Sequence, residues 1–213
     1  MAMDGMDERA EPALMPSAIA QLLAARLCHD LAGALGTLTG CLDVLAEEAA
    51  IEDEAFDLAR QTAADASARL RLFRAAWAGG EEPLTIPAIA AMADALPRRH
   101  RIELDLGALG NTVLPAAAAA LVLNLLLLAA DALPAGGRIV MARDRAQDWV
   151  LSISGPRAGW PEGFADALAA GPGVVPAAAP VAVPMAMAAA AGMRLSLLMA
   201  GAEPVPPLLI ARD

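Results

Sequence analysis

The stretch from Ala20 to Leu45, AQLLAARLCHDLAGALGTLTGCLDVL, decides how the rest of the chain is read. Ala20, Ala24, Leu27, Leu31, Leu35, Leu38, Leu42 and Leu45 recur at steps of three and four, so they form one stripe on a helix. The spacing predicts a helix buried along that stripe. His29 falls nearly opposite it, among Leu22, Ala25, Arg26, Ala32, Gly33, Gly36, Thr37 and Gly40. Each glycine inside a helix costs roughly 1 kcal/mol relative to alanine, and this alanine-rich chain had the better helix former at hand. The glycines share the histidine's side and leave one imidazole on a flat surface that another molecule can approach closely. They would equally let a second helix pack close, with His29 an ordinary surface residue. Asp30 favours a chemical role. Its carboxylate can accept a hydrogen bond from one ring nitrogen, which fixes the tautomer and leaves the other nitrogen as a nucleophile.

Outward from this stretch, residues 1–16 are acidic with two prolines and read as a disordered lead-in, and Ser17 is a reasonable N-cap. The first helix runs to about Glu48. A second opens near Asp53, with Phe56, Ala59, Ala63, Ala66, Leu70, Phe73 and Trp77 at alternating steps of three and four, a heptad seam. Gly79-Gly80 closes it. Residues 17–80 are thus expected to form an antiparallel helical hairpin. One hairpin cannot cover both seams, so a homodimer pairing two hairpins into a four-helix bundle is expected, unless the rest of the chain covers them.

The 213 residues are long enough for one large or two small domains. A composition of 58% hydrophobic but 3% aromatic residues, with no tyrosine, suggests closely packed helices. The net charge of −10 argues against nucleic acid or an anionic membrane as partner. Cys28 and Cys41 lie too far apart along one helix for a disulfide, no zinc spacing occurs, and the N-terminus lacks a signal pattern. A cytoplasmic protein is expected.

A boundary near Gly80–Pro83 separates the hairpin from 83–213. There the pattern predicts a helix over 88–96, a strand over 101–106, a strongly apolar helix over 115–133, and strands over 138–143 and 149–154. Helices over 161–170 and 182–191 and strands over 194–199 and 208–211 follow. The whole reads as α+β, a helical hairpin followed by a two-layer α/β sandwich. The apolar run 114–130 carries Asn124 midway and no flanking positive cluster, so it reads as a core helix and not a membrane span.

The two halves resemble the dimerisation-and-phosphoacceptor hairpin and the ATP-binding domain of sensor histidine kinases. LCHDLAGALGTLTGCLDVL looks like the H-box, with His29 at the phosphorylated histidine, and LVLNLLLLAADALPAGGRIVM looks like the N-box helix, with Asn124 at its metal-binding asparagine. WVLSISGPRAGWPEGF falls where an Asp-x-Gly-x-Gly turn would be, and PMAMAAAAGMRLSLLMAG where the glycine-rich lid would be. The nucleotide residues themselves are replaced. Gly155 stands for the adenine-binding aspartate, Arg157 for the next glycine, Leu128 for the second asparagine, and Pro184, Met185 and Met187 for lid glycines. A kinase shape without a nucleotide site is similar to the ChpT-type histidine phosphotransferases of cell-cycle phosphorelays.

That resemblance implies a histidine phosphotransferase, a phosphoryl carrier and not an ATP-dependent kinase, with no cofactor of its own and Mg²⁺ held by the partner. Its partners would be the receiver domains of a hybrid kinase and of response regulators. His29 would carry the phosphoryl group and Asp30 would orient it. Arg26 and Thr37 would flank the group, and Leu22, Gly33, Gly36 and Gly40 would complete the docking face. His100, within PRRHR, is not expected to accept phosphate. The alternative is an inert pseudo-kinase scaffold that binds receivers without accepting the phosphoryl group.

Overall fold

The computed structural model describes residues 11–47, 53–77, 82–171, 179–199 and 203–212. The alanine- and leucine-rich N-terminal stretch forms α1, Glu11–Glu47, and the heptad segment forms α2, Asp53–Trp77; the two pack against each other. The helix begins at Glu11, ahead of the expected start, so Ser17 lies within it and is not its N-cap. Residues 1–10 and the Gly79-Gly80 stop lie outside the described residues.

The apolar stripe of α1 is divided between two surroundings. Leu27, Leu31 and Leu38 are half-buried within the chain and Cys41 is buried, whereas Ala20, Ala24, Leu35 and Leu42 are exposed, Leu35 by 61% and Leu42 by 59%. The seam of α2 divides likewise. Phe73 is buried and stacks on Trp77 at 4.3 Å and 7°, but Phe56, Ala63 and Leu70, spaced by sevens, are exposed. A two-helix contact buries only the facing sides, so the single buried stripe expected for α1 is corrected to a half-buried one flanked by an exposed apolar row.

Beyond the hairpin, β1 (Leu84–Thr85) leads into α3 (Ile86–Ala93). The Thr85 hydroxyl accepts from the Ala88 N–H at 3.2 Å, and Pro87 sits in the first turn, where no backbone donor is missed. β2 (Ile102–Asp105) is followed by β3 (Val113–Leu114), which pairs antiparallel with β1, and by α4 (Ala116–Asp131). Residues 119–130 of α4 are all buried, as an all-round apolar helix demands. It lies between α2, α6 and the sheet, which settles the run 114–130 as core. Among the described residues no helix is long and apolar enough to cross a membrane.

β4 (Gly137–Arg143), β5 (Trp149–Ser154), α5 (Phe164–Ala170), α6 (Ala179–Ala190), β6 (Met193–Leu197) and β7 (Leu208–Arg212) complete the fold. The five-stranded sheet runs β2-β4-β5-β7-β6. Only β2 and β4 are parallel, joined by the crossover through α4. Ile139, Met141, Trp149, Leu151, Ile153, Leu208 and Ile210 fill the face that meets the helices. At the β2 edge, Asp105 accepts from the Gly107 N–H at 3.0 Å and from Arg138 Nη2 at 2.9 Å, which hold its carboxyl below the usual carboxylate range. Its contribution to stability is present above that range and is lost as the pH falls through it.

Candidate functional site

His29 sits midway along α1 with its side chain 88% exposed. Its Nδ1 lies 3.1 Å from Asp30 Oδ1. With the imidazole neutral, this contact places the proton on Nδ1 and leaves the Nε2 lone pair free. The carboxylate that orients the ring is itself only 16% exposed. The pair therefore combines an open nucleophile with an anchored base, as the adjacency of the two residues implies.

The glycines on that side serve no packing need within the described chain. A Cβ added at Gly33, Gly36 or Gly40 would meet nothing within 4 Å. No helix of the described chain packs there, so the reading of these glycines as an intrachain helix contact is set aside. By the helical period, Val44 of α1 and Leu58 of α2 lie on the same side of the hairpin as His29. They are 42% and 51% exposed. Neither was singled out from the sequence, although Leu58 stands out as an apolar residue off the heptad seam. Leu35, Leu42, Phe56 and Leu70 point to the opposite side.

Three expected site residues are placed differently. Leu22 is half-buried. Arg26 does not flank the ring as a free cation: its side chain is 10% exposed, with Nη1 2.8 Å from Asp131 Oδ2 at the end of α4 and Nε 3.5 Å from Asp30 Oδ2. The Thr37 hydroxyl donates to the Gly33 carbonyl one turn back at 3.0 Å, a common use of threonine inside a helix. Asp131 was missed, yet it carried a signal. It is the one charged residue in a buried helix and sits at the C-terminal end, where the dipole disfavours an anion unless a cation meets it. Arg98 joins it, with Nη2 3.6 Å from Asp131 Oδ1 and 3.0 Å from the Ala130 carbonyl. His100 is exposed in the short turn Arg99–Arg101.

Asn124 is 3% exposed and fully engaged. Its Oδ1 accepts from Trp77 Nε1 at 2.9 Å, and its Nδ2 donates to the Ala76 and Ala120 carbonyls at 2.9 Å and lies 3.0 Å from the Met187 sulfur. The adjoining space, lined by Leu23, Trp77, Pro180, Val183 and Pro184 among others, holds only about 10 Å³, room for about one water. Asn124 joins α2, α4 and α6. Asn124→Leu should lose roughly 2–4 kcal/mol of stability, because the Trp77 N–H and the Ala76 carbonyl are then buried unpaired; denaturant unfolding measures it. Gly155 packs on Gly136 and Gly137 so closely that a Cβ there would come 2.6 Å from the Gly136 oxygen. No aspartate fits at that position without moving the turn.

The family model of the histidine phosphotransferase C-terminal domain matches residues 87–203, more than half of the chain. The chain belongs to this family. A curated relative, the protein phosphotransferase ChpT of Brucella abortus (strain 2308), is 30% identical over 140 residues, 63% of this chain and 66% of that protein. A solved bacterial phosphotransferase superposes with a TM-score of 0.72 at 26% identity, covering 91% of this chain and 95% of the other. The Acinetobacter baumannii histidine kinase AdeS gives a TM-score of 0.41 at 14% identity over 87% and 97% of the two chains. The phosphotransferase-family match lies on the sandwich, whereas His29 lies on the hairpin that precedes it.

Proposed function

We propose that this chain is a cytoplasmic histidine phosphotransferase that passes a phosphoryl group between receiver-domain aspartates, from a hybrid kinase to a response regulator, through His29. The observation that carries the reading is His29 itself: an exposed imidazole whose Nδ1 is tied to a part-buried carboxylate, on a face where glycine Cβ positions open onto free space. In the first transfer the Nε2 lone pair attacks the phosphorus of an aspartyl phosphate, an N–P bond forms, the acyl-phosphate O–P bond breaks, and the receiver carboxylate leaves. The Nδ1 proton stays on the ring, facing Asp30, while the imidazole becomes cationic. The second transfer reverses these steps on another receiver. Such chemistry asks mainly for alignment and neutralised charge; the Mg²⁺ that neutralises the phosphoryl oxygens belongs to the receiver.

A carrier of this kind needs no nucleotide. Supporting that part of the reading, the amide of Asn124 is used within the core, α6 fills the space beside it, and Gly155 has no room for a side chain. Titration calorimetry is expected to find no ATP binding near millimolar; micromolar affinity would overturn the pseudo-ATPase reading. The resemblance of the His29 and Asn124 motifs to phosphotransferases of cell-cycle phosphorelays supports placing the protein in a relay of that type. Phosphotransfer profiling against the receivers of the same genome tests the function and names the partners.

Docking is expected on the glycine face, with Val44 and Leu58 at its edge. Gly36→Leu should abolish transfer by bulk while raising the melting temperature slightly, since roughly 0.5–1 kcal/mol of helix propensity is recovered. Transfer at the wild-type rate would place the docking face elsewhere.

A further inference from the structure

A row of charges runs from the His29 ring into the sandwich. One oxygen of Asp30 meets His29 Nδ1 at 3.1 Å, the other meets Arg26 Nε at 3.5 Å, and Arg26 Nη1 meets Asp131 Oδ2 at 2.8 Å. The cluster is poorly satisfied as hydrogen bonding. Arg26 Nε, Asp30 Oδ2 and Asp131 Oδ2 are buried, and none has a hydrogen-bond partner of good geometry. As a way of holding two parts of a fold together, this is weak. Well-packed apolar residues of similar volume are often as stabilising as a buried ion pair or more so. What the cluster does supply is charge placed behind the histidine.

We infer that Arg26 and Asp131 are positioning residues for phosphotransfer: through them the sandwich sets how much of the Asp30 carboxylate is given to His29. This rests on His29 being the phosphoryl acceptor. Asp30 is shared between an imidazole and a guanidinium, so the hold on the ring depends on how strongly Arg26 draws the carboxylate away. Asp131 takes part of that guanidinium's charge from the far side. The sandwich, on this account, is not a mere remnant beside the hairpin; it supplies the carboxylate that balances Arg26.

The charged groups facing the site come from every element packed around it. Arg26 and Asp30 belong to α1, Asp131 to α4, and Arg98 to the turn after α3, with Arg69 of α2 donating to the Asp30 carbonyl at 3.4 Å. The described part of α6, packed on α1, carries no titratable side chain. Asp131→Asn leaves an extra positive charge near the ring and disfavours imidazolium, so the His29 titration midpoint falls. Arg26→Met removes a positive charge, so the midpoint rises. Shifts on the order of half a pH unit are expected for unit charges that reach a solvated ring through one shared carboxylate. Both variants should transfer roughly tenfold more slowly with unchanged receiver affinity, because the carboxylate is held wrongly in each, by too much Arg26 in one and by none in the other.

The test is a ¹⁵N–¹H titration of the histidine rings in the unphosphorylated full chain. With only two histidines, His29 is assigned by comparison with His29→Ala. Opposite midpoint shifts in Asp131→Asn and Arg26→Met, a midpoint near wild type in the double variant, and near-normal behaviour in Arg26→Lys are expected. Midpoints unmoved, or moved in the same direction, in folded variants would overturn the proposal. Should Asp131→Asn fail to fold, the comparison of Arg26→Met with Arg26→Lys decides alone, since only the loss of charge is expected to move the ring. The titration needs no phosphoryl donor. If wild-type protein accepts no label while the shifts appear, the transfer reading fails and the cluster stands; if label reaches His29 and no shift appears, the reverse holds.

Discussion

His29→Ala is expected to accept no phosphoryl group from a phosphorylated receiver, a loss of at least about 10³-fold, because the nucleophile itself is gone. The fold should be untouched. The side chain is 88% exposed and its one hydrogen bond runs to the neighbouring Asp30, so circular dichroism and melting temperature should match wild type. His100→Ala should transfer normally. Asp30→Asn should keep the nucleophile but lose the acceptor that fixes the tautomer, and slow transfer by roughly 10–100-fold. Phosphate release assays and radiolabel transfer on the three variants separate these roles. Label on His29→Ala at the wild-type level would remove His29 from the mechanism.

Leu35→Asp combined with Leu70→Asp is expected to convert the protein from dimer to monomer. Leu35 is 61% exposed, Leu42 59%, Phe56 54% and Leu70 46%, and by the helical period they lie together on the side of the hairpin away from His29. Burying a leucine fully is worth about 1.5–3 kcal/mol, and in a two-fold interface each substitution enters twice. The pair of changes therefore removes several kcal/mol of association energy and adds four carboxylates to the interface. Light scattering at tens of micromolar should give twice the 21.7 kDa chain mass for wild type and the single mass for the variant. A monomeric wild type would contradict the four-helix bundle. A dimer of this form leaves both glycine faces free for receivers.

The long elements were legible because they are periodic. α1 and α2 repeat at steps of three and four, α4 is one unbroken apolar run, and β4 and β5 alternate, so their positions follow from the sequence to within a few residues, the start of α1 excepted. β1 and β3 have two residues each, too few to show any period, and exist only because they pair with each other. The expected start of α1 rests on Ser17, a residue type that caps helices, and on two prolines before it, yet the helix begins at Glu11 and runs through them. What the sequence could not divide was the apolar stripe. Leu38 facing α2 and Leu35 facing outward are the same residue type, and only the packed hairpin separates a core position from an exposed one.

At the site, the His29–Asp30 contact was legible because the two are adjacent. The placement of Arg26 was not, because its partner Asp131 lies far along the chain and the pairing depends on how α4 meets α1. Asn124 is the converse case. Its resemblance to a metal-binding asparagine follows from the sequence around it, while the hydrogen bonds to Trp77 and Ala76 that occupy it come from the end of α2 and require the folded chain.

The most direct test of the account incubates the full chain with a receiver domain radiolabelled on its aspartate, then digests the product and maps the label. The prediction is a single labelled peptide containing His29, with a phosphoryl–nitrogen bond that is lost in acid and survives base. A chain that binds the receiver and stays unlabelled, or one labelled at a residue other than His29, would contradict it.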